Sequence, residues 1–287
     1  MSPSARGPAA TAVPTPTVAR VMGLVTLALL PGVLVQVWIM GVGRAWQVLL
    51  AVALGLGVEA LMLRLRGRAV WPFLSDLSAP VTAILLTLLL PLATPWWMLS
   101  VAVLVALVLG KHLYGGLGEN LFNPAMVGYA TLLVVFPANF SSSVFSGAAF
   151  TDRPAFTAAS FALGGLFLIV KKIIPWQTPL AMLGAAVIAA LALNAAGLPA
   201  PGLFPQSLFS GSLALAAFFI VTDPVTGCIS PRGRLYFAAG AGLLTVTLGR
   251  WSNMSDGLPF AILLMNAAVP WLDRTTRPSR SKRVQVQ

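Results

Sequence analysis

Charge is scarce in this 287-residue chain, and cysteine and histidine are almost absent. Only 9% of residues are Asp, Glu, Lys or Arg, where a soluble domain carries about 25%. Such a chain cannot cover a water-facing surface. With 58% of its residues hydrophobic, the bilayer is its expected solvent. Cys228 is the single cysteine, which excludes an intrachain disulfide and a thiolate-rich metal site within the chain. One cysteine and one histidine, His112, do not make a self-contained zinc or haem site, so no metal site is expected. A cluster shared with a partner chain stays open. The seven acidic residues form no carboxylate cluster, and no Ser/His/Asp set, phosphate loop or HExxH pattern appears. These absences argue against a stand-alone hydrolase or NTPase.

What the chain has is a net charge of +11. The cations sit between apolar runs and in the C-terminal tail, as topology signals and lipid contacts do, so no nucleic-acid partner is expected. The N-terminal stretch MSPSARGPAATAVPTPTVAR is Pro/Ala/Thr-rich and polar. It reads as a disordered arm leading into the first span, not as a cleaved signal peptide.

Ten apolar runs follow: 21–40, 46–63, 80–92, 96–109, 124–136, 156–170, 180–198, 208–221, 235–248 and 258–272. A straight span needs about 20 residues. Several runs are shorter and flanked by Pro80, Pro91, Pro124, Pro224 or Pro259, which predicts broken, half-length helices lining an enclosed cavity. Arg6 and Arg20, Arg64 to Arg68, Lys111, Lys171 and Lys172, Arg232 and Arg234, and the basic tail all fall on one side of a ten-span topology. Only Arg44, Arg153 and Arg250 fall on the other. The positive-inside bias then puts both termini in the cytoplasm.

The chain repeats itself. SAPVTAILLTLLLP matches GSLALAAFFIVTDP, which pairs Pro91 with Pro224, and Pro124 pairs with Pro259 at a nearly equal offset. Chance likeness among Pro-bounded apolar runs is the competing reading. Two halves of five spans invert the second against the first and put a site between them. The expected fold is an all-α polytopic membrane protein of about ten transmembrane helices in two inverted five-helix repeats with short broken helices. Its parts are a disordered cytoplasmic arm (1–19), a first repeat (20–136), an extracytoplasmic loop (137–155), a second repeat (156–273) and a basic cytoplasmic tail (274–287).

Chemistry concentrates in KHLYGGLGENLFNPAMVG, Lys111–Gly128. Its glycines let backbone approach a ligand closely. Asn120 and Asn123 offer paired donor and acceptor edges suited to a heterocycle such as an isoalloxazine ring. A re-entrant turn with Asn123 as N-cap and Pro124 at the first helical position fits equally. The partner stretch is TDPVTGCISPRGR, Thr222–Arg234. Asp223 ends an apolar run, where a carboxylate must be paired or solvated; a flavin edge, a cation, Arg232 and Arg234 are the candidates. Glu59 reads as snorkelling to the interface, with an ion pathway as the rival. Asp76 reads as a helix-start residue. The Ser/Thr-rich loop 137–154 reads as a polar connector that could carry a modification.

Four segments carry a family resemblance: ARVMGLVTLALLPGVLVQVWIMG, KHLYGGLGENLFNPAMVGYATLLVVFP, AAFFIVTDPVT with RGRLYF, and DGLPFAILLMNAAVPWLDRTTRP. In this order they resemble the D subunit of Rnf-type ion-translocating electron-transport complexes, a family related to the B subunit of the Na+-translocating NADH:quinone reductase. The resemblance implies a bacterial inner-membrane subunit, multi-pass, with the other subunits of an Rnf-type complex and membrane lipid as partners. It implies a translocase component that couples electron transfer to ion movement, not a stand-alone enzyme. It also implies flavin. A non-covalent riboflavin or FMN would lie near Asn120 and Asn123 of the NxxNPA turn and Thr222 and Asp223 of the Thr-Asp-Pro stretch. Covalent FMN would sit on a threonine of the extracytoplasmic loop. Here the chain departs from the family, whose loop is longer and reads S-G-A-T. SGAAF stands at 146–150, so Ala149 occupies the acceptor position and has no oxygen to esterify. Thr151 is the nearby substitute. A small-solute transporter or channel of inverted-repeat type, and a flavin-free structural subunit, are the competing readings.

Overall fold

Among the described residues each of the ten apolar runs carries a helix, and the helix lengths decide how each meets the bilayer. The computed structural model describes residues 18–140, 154–198, 211–251 and 256–276. The N-terminal arm before residue 18, most of the loop and the basic tail lie outside them. Helices α1 (Val18–Met40) and α2 (Val42–Leu65) are long enough to span. A short α3 (Val70–Leu74), which no apolar run announces, leads to α4 (Ser78–Leu89), α5 (Trp96–Val108) and α6 (Pro124–Val135). The second half holds α7 (Pro154–Val170), α8 (Gln177–Ala195), α9 (Gly211–Leu215, running on as a π-helical turn through Ile220), α10 (Pro231–Trp251) and α11 (Leu258–Thr276). No strand occurs among the described residues.

Leaving α3 aside, the halves match helix for helix. In the first, α2 packs on α4 and α5, and α5 on α6. In the second, α8 packs on α9 and α10, and α10 on α11. The principal contacts between the halves are α1 with α7, α6 with α11, and α4 with α9. In these three contacts an element meets its own counterpart, the pattern a two-fold axis imposes. Close approach at α1–α7 needs glycine: a Cβ on Gly164 would lie 1.9 Å from the Ala28 carbonyl oxygen, and one on Gly32 2.0 Å from the Phe161 ring.

Exposed tryptophans mark the two membrane faces. Trp38, Trp46 and Trp96 flank the α1–α2 turn and the start of α5; Trp71, Trp176 and Trp271 lie at the opposite helix ends. Two such belts fit indole rings seated at the two interfaces, with apolar side chains such as Leu34, Leu49 and Leu104 exposed to lipid between them. We call the face bearing the 110–123 turn the near face.

Helix α4 has 12 residues, about 18 Å at 1.5 Å per residue, against a hydrocarbon core of about 30 Å. Its C-terminal carbonyls are buried against the first turns of α2, level with Trp46 of the far belt. Arg44 reaches them: its guanidinium donates to Thr87 O at 2.8 Å, Leu90 O at 3.0 Å and Gln47 Oε1 at 3.0 Å. Gln47 Nε2 donates to Leu92 O at 2.9 Å, and Gln36 Nε2 to Leu88 O at 3.3 Å. Arg44, a topological exception by sequence, is a buried cap for a half-length helix.

Candidate functional site

Between α5 and α6 the chain turns through one 3₁₀ turn, His112–Tyr114, and irregular backbone that glycine permits. Gly115, Gly116 and Gly118 have φ of 129°, 116° and 95°, a region that L side chains rarely adopt. At Gly110 a Cβ would lie 2.8 Å from Pro124 Cα. Asn123 then caps α6, its Oδ1 accepting from Met126 N at 3.3 Å ahead of Pro124. The N-cap reading thus accounts for one edge of the amide. The remaining contacts cross to the second repeat: Nδ2 donates to Asp223 Oδ2 at 3.5 Å, and the backbone N–H donates to Asn266 Oδ1 at 3.1 Å. Asn266 Nδ2 donates to Thr226 O at 3.0 Å. Asn266, unremarked by sequence, stitches the two repeats where α6 meets α11.

Asp223 follows the π-helical turn. Its Oδ1 accepts from Val225 N at 3.0 Å and its Oδ2 from Thr226 Oγ1 at 2.9 Å. Arg234 Nε turns instead to Cys228 O at 3.0 Å. Burial lifts the Asp223 carboxyl above the usual carboxylate range, opposed by the hydrogen bonds from Val225, Thr226 and Asn123. Thr222 Oγ1 donates to Phe218 O at 2.7 Å, satisfying a carbonyl of the irregular turn.

These residues share a cavity of about 250 Å³ between the repeats. Val21 and Val25 of α1, Leu85 of α4 and Phe218 and Phe219 of α9 give it apolar walls. Asn120, Asn123, Thr222, Asp223, Ser78 and Lys111 supply polar edges. Asn120 Nδ2 donates to Phe122 O at 3.1 Å, while its buried Oδ1 has no partner. All four residues singled out for a bound ring therefore line one space, contributed by both repeats. Ala149 and Thr151 lie outside the described residues.

Glu59 departs from its expected snorkelling. It is 3% exposed and its Oε2 accepts from Lys111 Nζ at 2.8 Å. His112 Nε2 lies 3.1 Å from the same oxygen. Lys111, read by sequence as a topology cation, is 1% exposed and also donates to Ser78 Oγ at 2.8 Å. The cause is the face of α2: Gln47, Ala51, Gly55, Glu59 and Leu63 recur every four residues and are all buried. Ser78 Oγ donates to Asp76 Oδ1 at 2.5 Å, and Asp76 also accepts from Ser78 N at 2.7 Å, so it opens α4 as expected. Arg66 hydrogen-bonds the His112 carbonyl.

A network at the far face links the last helices of the two repeats. Tyr129 OH on α6 donates to Asp256 Oδ2 at 2.9 Å, and Asp256 Oδ1 accepts from Leu258 N at 2.9 Å, opening α11.

Comparison with known proteins fits this architecture. The sequence pattern of the NQR2, RnfD, RnfE family matches residues 9–159 and 142–282. The D subunit of the ion-translocating oxidoreductase complex of Pseudomonas aeruginosa (strain LESB58) is 40% identical over 309 residues, covering 90% of this chain and 90% of that protein. Proteins of the same name from Aeromonas hydrophila and Marinobacter nauticus are each 38% identical, covering 90% of this chain and 92% and 90% of theirs. The chain is a multi-pass membrane protein that belongs to the NQR2, RnfD, RnfE family.

Proposed function

We propose that this chain is the membrane-embedded D subunit of an ion-translocating oxidoreductase complex. It works with the complex's other subunits in a bacterial inner membrane, and both its termini and its near face are cytoplasmic. The cavity between its repeats holds a non-covalent flavin, riboflavin or FMN. One observation carries the cofactor reading: an apolar cavity at the repeat interface is lined by two asparagine amides, one with an unpartnered buried oxygen, and by Asp223, which Asn123 contacts from the other repeat. A flavin is a flat ring with an amide-like edge of alternating donors and acceptors, so its faces suit the apolar walls and its edge suits these amides.

Bound there, the flavin supplies one-electron and two-electron exchange between the complex's donor and its other centres. The chain's residues do the rest. Asn120 Oδ1, buried without a partner, would accept from the ring edge. Phe218 and Phe219 hold the ring face and exclude water. Asp223 and Asn123 come from different repeats, so the occupant is sensed by both halves. Coupling to ion movement follows if the halves take two arrangements that differ in affinity for the charged ring.

Acid precipitation of the purified chain, with quantification of released flavin, tests this. Flavin in the supernatant, reduced in Asn120→Leu and Asn123→Ala, is the expected result. A flavin-free chain that still assembles its complex overturns the reading and leaves a structural subunit. The same preparation on a denaturing gel reports covalent FMN. A fluorescent band lost in Thr151→Ala would put the ester on that hydroxyl.

A further inference from the structure

A charged cluster buried in a membrane protein needs a reason. Taking ions out of water costs several kcal/mol each, and a buried ion pair often adds no net stability. Glu59, Lys111 and His112 are each 3% exposed or less and make one ion cluster. The second repeat gives a control within the same molecule. The offset that carries Pro124 onto Pro259 carries Glu59, Lys111 and His112 onto Asn194, Val246 and Thr247. That repeat packs α8 on α9 and α10 as the first packs α2 on α4 and α5. The shared helix packing therefore does not require the charges; they accompany the 3₁₀ turn His112–Tyr114, where α10 of the second repeat runs on as helix.

Two details give the cluster a task. Lys111 sits between Glu59 and the cavity, whose wall it forms with Ser78. His112 spends Nε2 on Glu59, while its Nδ1 is buried with no hydrogen-bond partner. A neutral imidazole that donates from Nε2 leaves Nδ1 as a bare acceptor. The charged and titratable side chains around this centre are Lys111, Asp76 through Ser78, Arg66 at the His112 carbonyl, Arg68 at the Gly115 carbonyl and Glu119, exposed on the following turn, with Lys172 and Asp223 on the same cavity.

We propose that Glu59, Lys111 and His112 form a proton-binding site linked to the charge of the cavity's occupant, with His112 Nδ1 as the proton acceptor. The inference rests on the flavin reading above. With His112 neutral, the cluster sums to zero charge. Two electrons, from a partner of the complex or from dithionite in the assay, with one proton taken by the ring itself, leave the ring with one negative charge. A second proton, from water on the near face, goes to His112 Nδ1. Glu59 then faces two cations, and Lys111 shares its charge with the ring across the cavity wall. No bond between heavy atoms forms or breaks. Linkage makes the effect reciprocal: a protonated cluster favours the reduced ring as much as the reduced ring favours protonation.

His112 is the only histidine, so ¹⁵N-histidine labelling of the whole chain in lipid bilayers gives one imidazole to follow. The oxidised protein should show a neutral ring protonated on Nε2. Dithionite at constant pH should bleach the flavin and convert that signal to imidazolium. In Glu59→Gln the flavin should still bleach, without the conversion. Bleaching of the wild-type flavin with no change at His112 overturns the proton site and leaves the flavin reading intact. A chain without visible flavin absorbance overturns the cavity reading and this inference with it.

Discussion

Replacing Arg44 with methionine isolates the cost of leaving a buried helix end without its cap. The unbranched methionine keeps most of the packing of the arginine stem and removes the guanidinium. Leu90 O and Gln47 Oε1 are then stranded, losing donors that lie at 3.0 and 3.0 Å, while Thr87 O loses one at 2.8 Å and keeps Leu90 N at 3.2 Å. Each stranded acceptor costs about 1–3 kcal/mol in an apolar setting, and relief from burying a cation offsets part of the sum, leaving a net loss of about 2–4 kcal/mol. Lysine retains the charge but not the planar fork, so Arg44→Lys should fall between wild type and Arg44→Met. Cys228 is a built-in reporter. It is the sole cysteine, 3% exposed, and its thiol is pushed up to about 11 by burial and the nearby Asp273 carboxylate, against the opposing Arg234 charge. A maleimide dye should stay dark on the folded protein and light up as the protein unfolds. Melting in detergent should rank wild type first, then Arg44→Lys, then Arg44→Met. An Arg44→Met variant that melts at or above wild type would refute the capping argument.

Gly164→Val should lose most of its folded, monodisperse yield, because its first carbon would overlap the Ala28 carbonyl at the α1–α7 contact. Gly184→Ala on α8, where a Cβ meets nothing within 4 Å, should be neutral or stabilise by up to about 1 kcal/mol in the same dye melt. Burial raises the folded-state pKa of Asp223, so its contribution to stability is full below the unfolded carboxylate range and is lost as pH rises through the raised value. Melting temperature should therefore fall with rising pH across that window, and Asp223→Asn should flatten the fall, with a residual slope from Asp256, which burial also raises. Ala149→Thr, co-expressed with a flavin transferase, should acquire a fluorescent band on a denaturing gel, since it restores a hydroxyl at the acceptor position.

The helices were legible because bilayer solvent makes long apolar runs and because proline and glycine end them. The half-length α4 and α9 announced themselves through Pro91 and Pro224, and the matching spacing of the Pro91/Pro224 and Pro124/Pro259 pairs pointed to the repeat that the helix packing bears out. Asn120, Asn123, Thr222 and Asp223 line one cavity, where the turn before α6 in the first repeat meets the break after α9 in the second. Contacts made only by folding stayed hidden. Glu59 and Lys111 are 52 residues apart, and a carboxylate one turn from Arg64 resembles an interfacial snorkel. The signal that could have corrected this is the four-residue stripe of Gln47, Ala51 and Gly55, which continues to Glu59 and faces inward. Arg44 looked like a topological exception because its partners are backbone carbonyls, which carry no sequence signature. The π-helical turn at Ala216–Ile220 and the Asn266 stitch are likewise products of packing.

The claim on which the account rests is that both repeats grip one flat cofactor. Cryo-electron microscopy of the purified chain in a lipid nanodisc tests it directly. The account predicts three-ring density in the cavity, its edge within hydrogen-bonding distance of Asn120 and its face against Phe219. Density for a lipid tail in that space, with the Asn120 amide turned away, would contradict it.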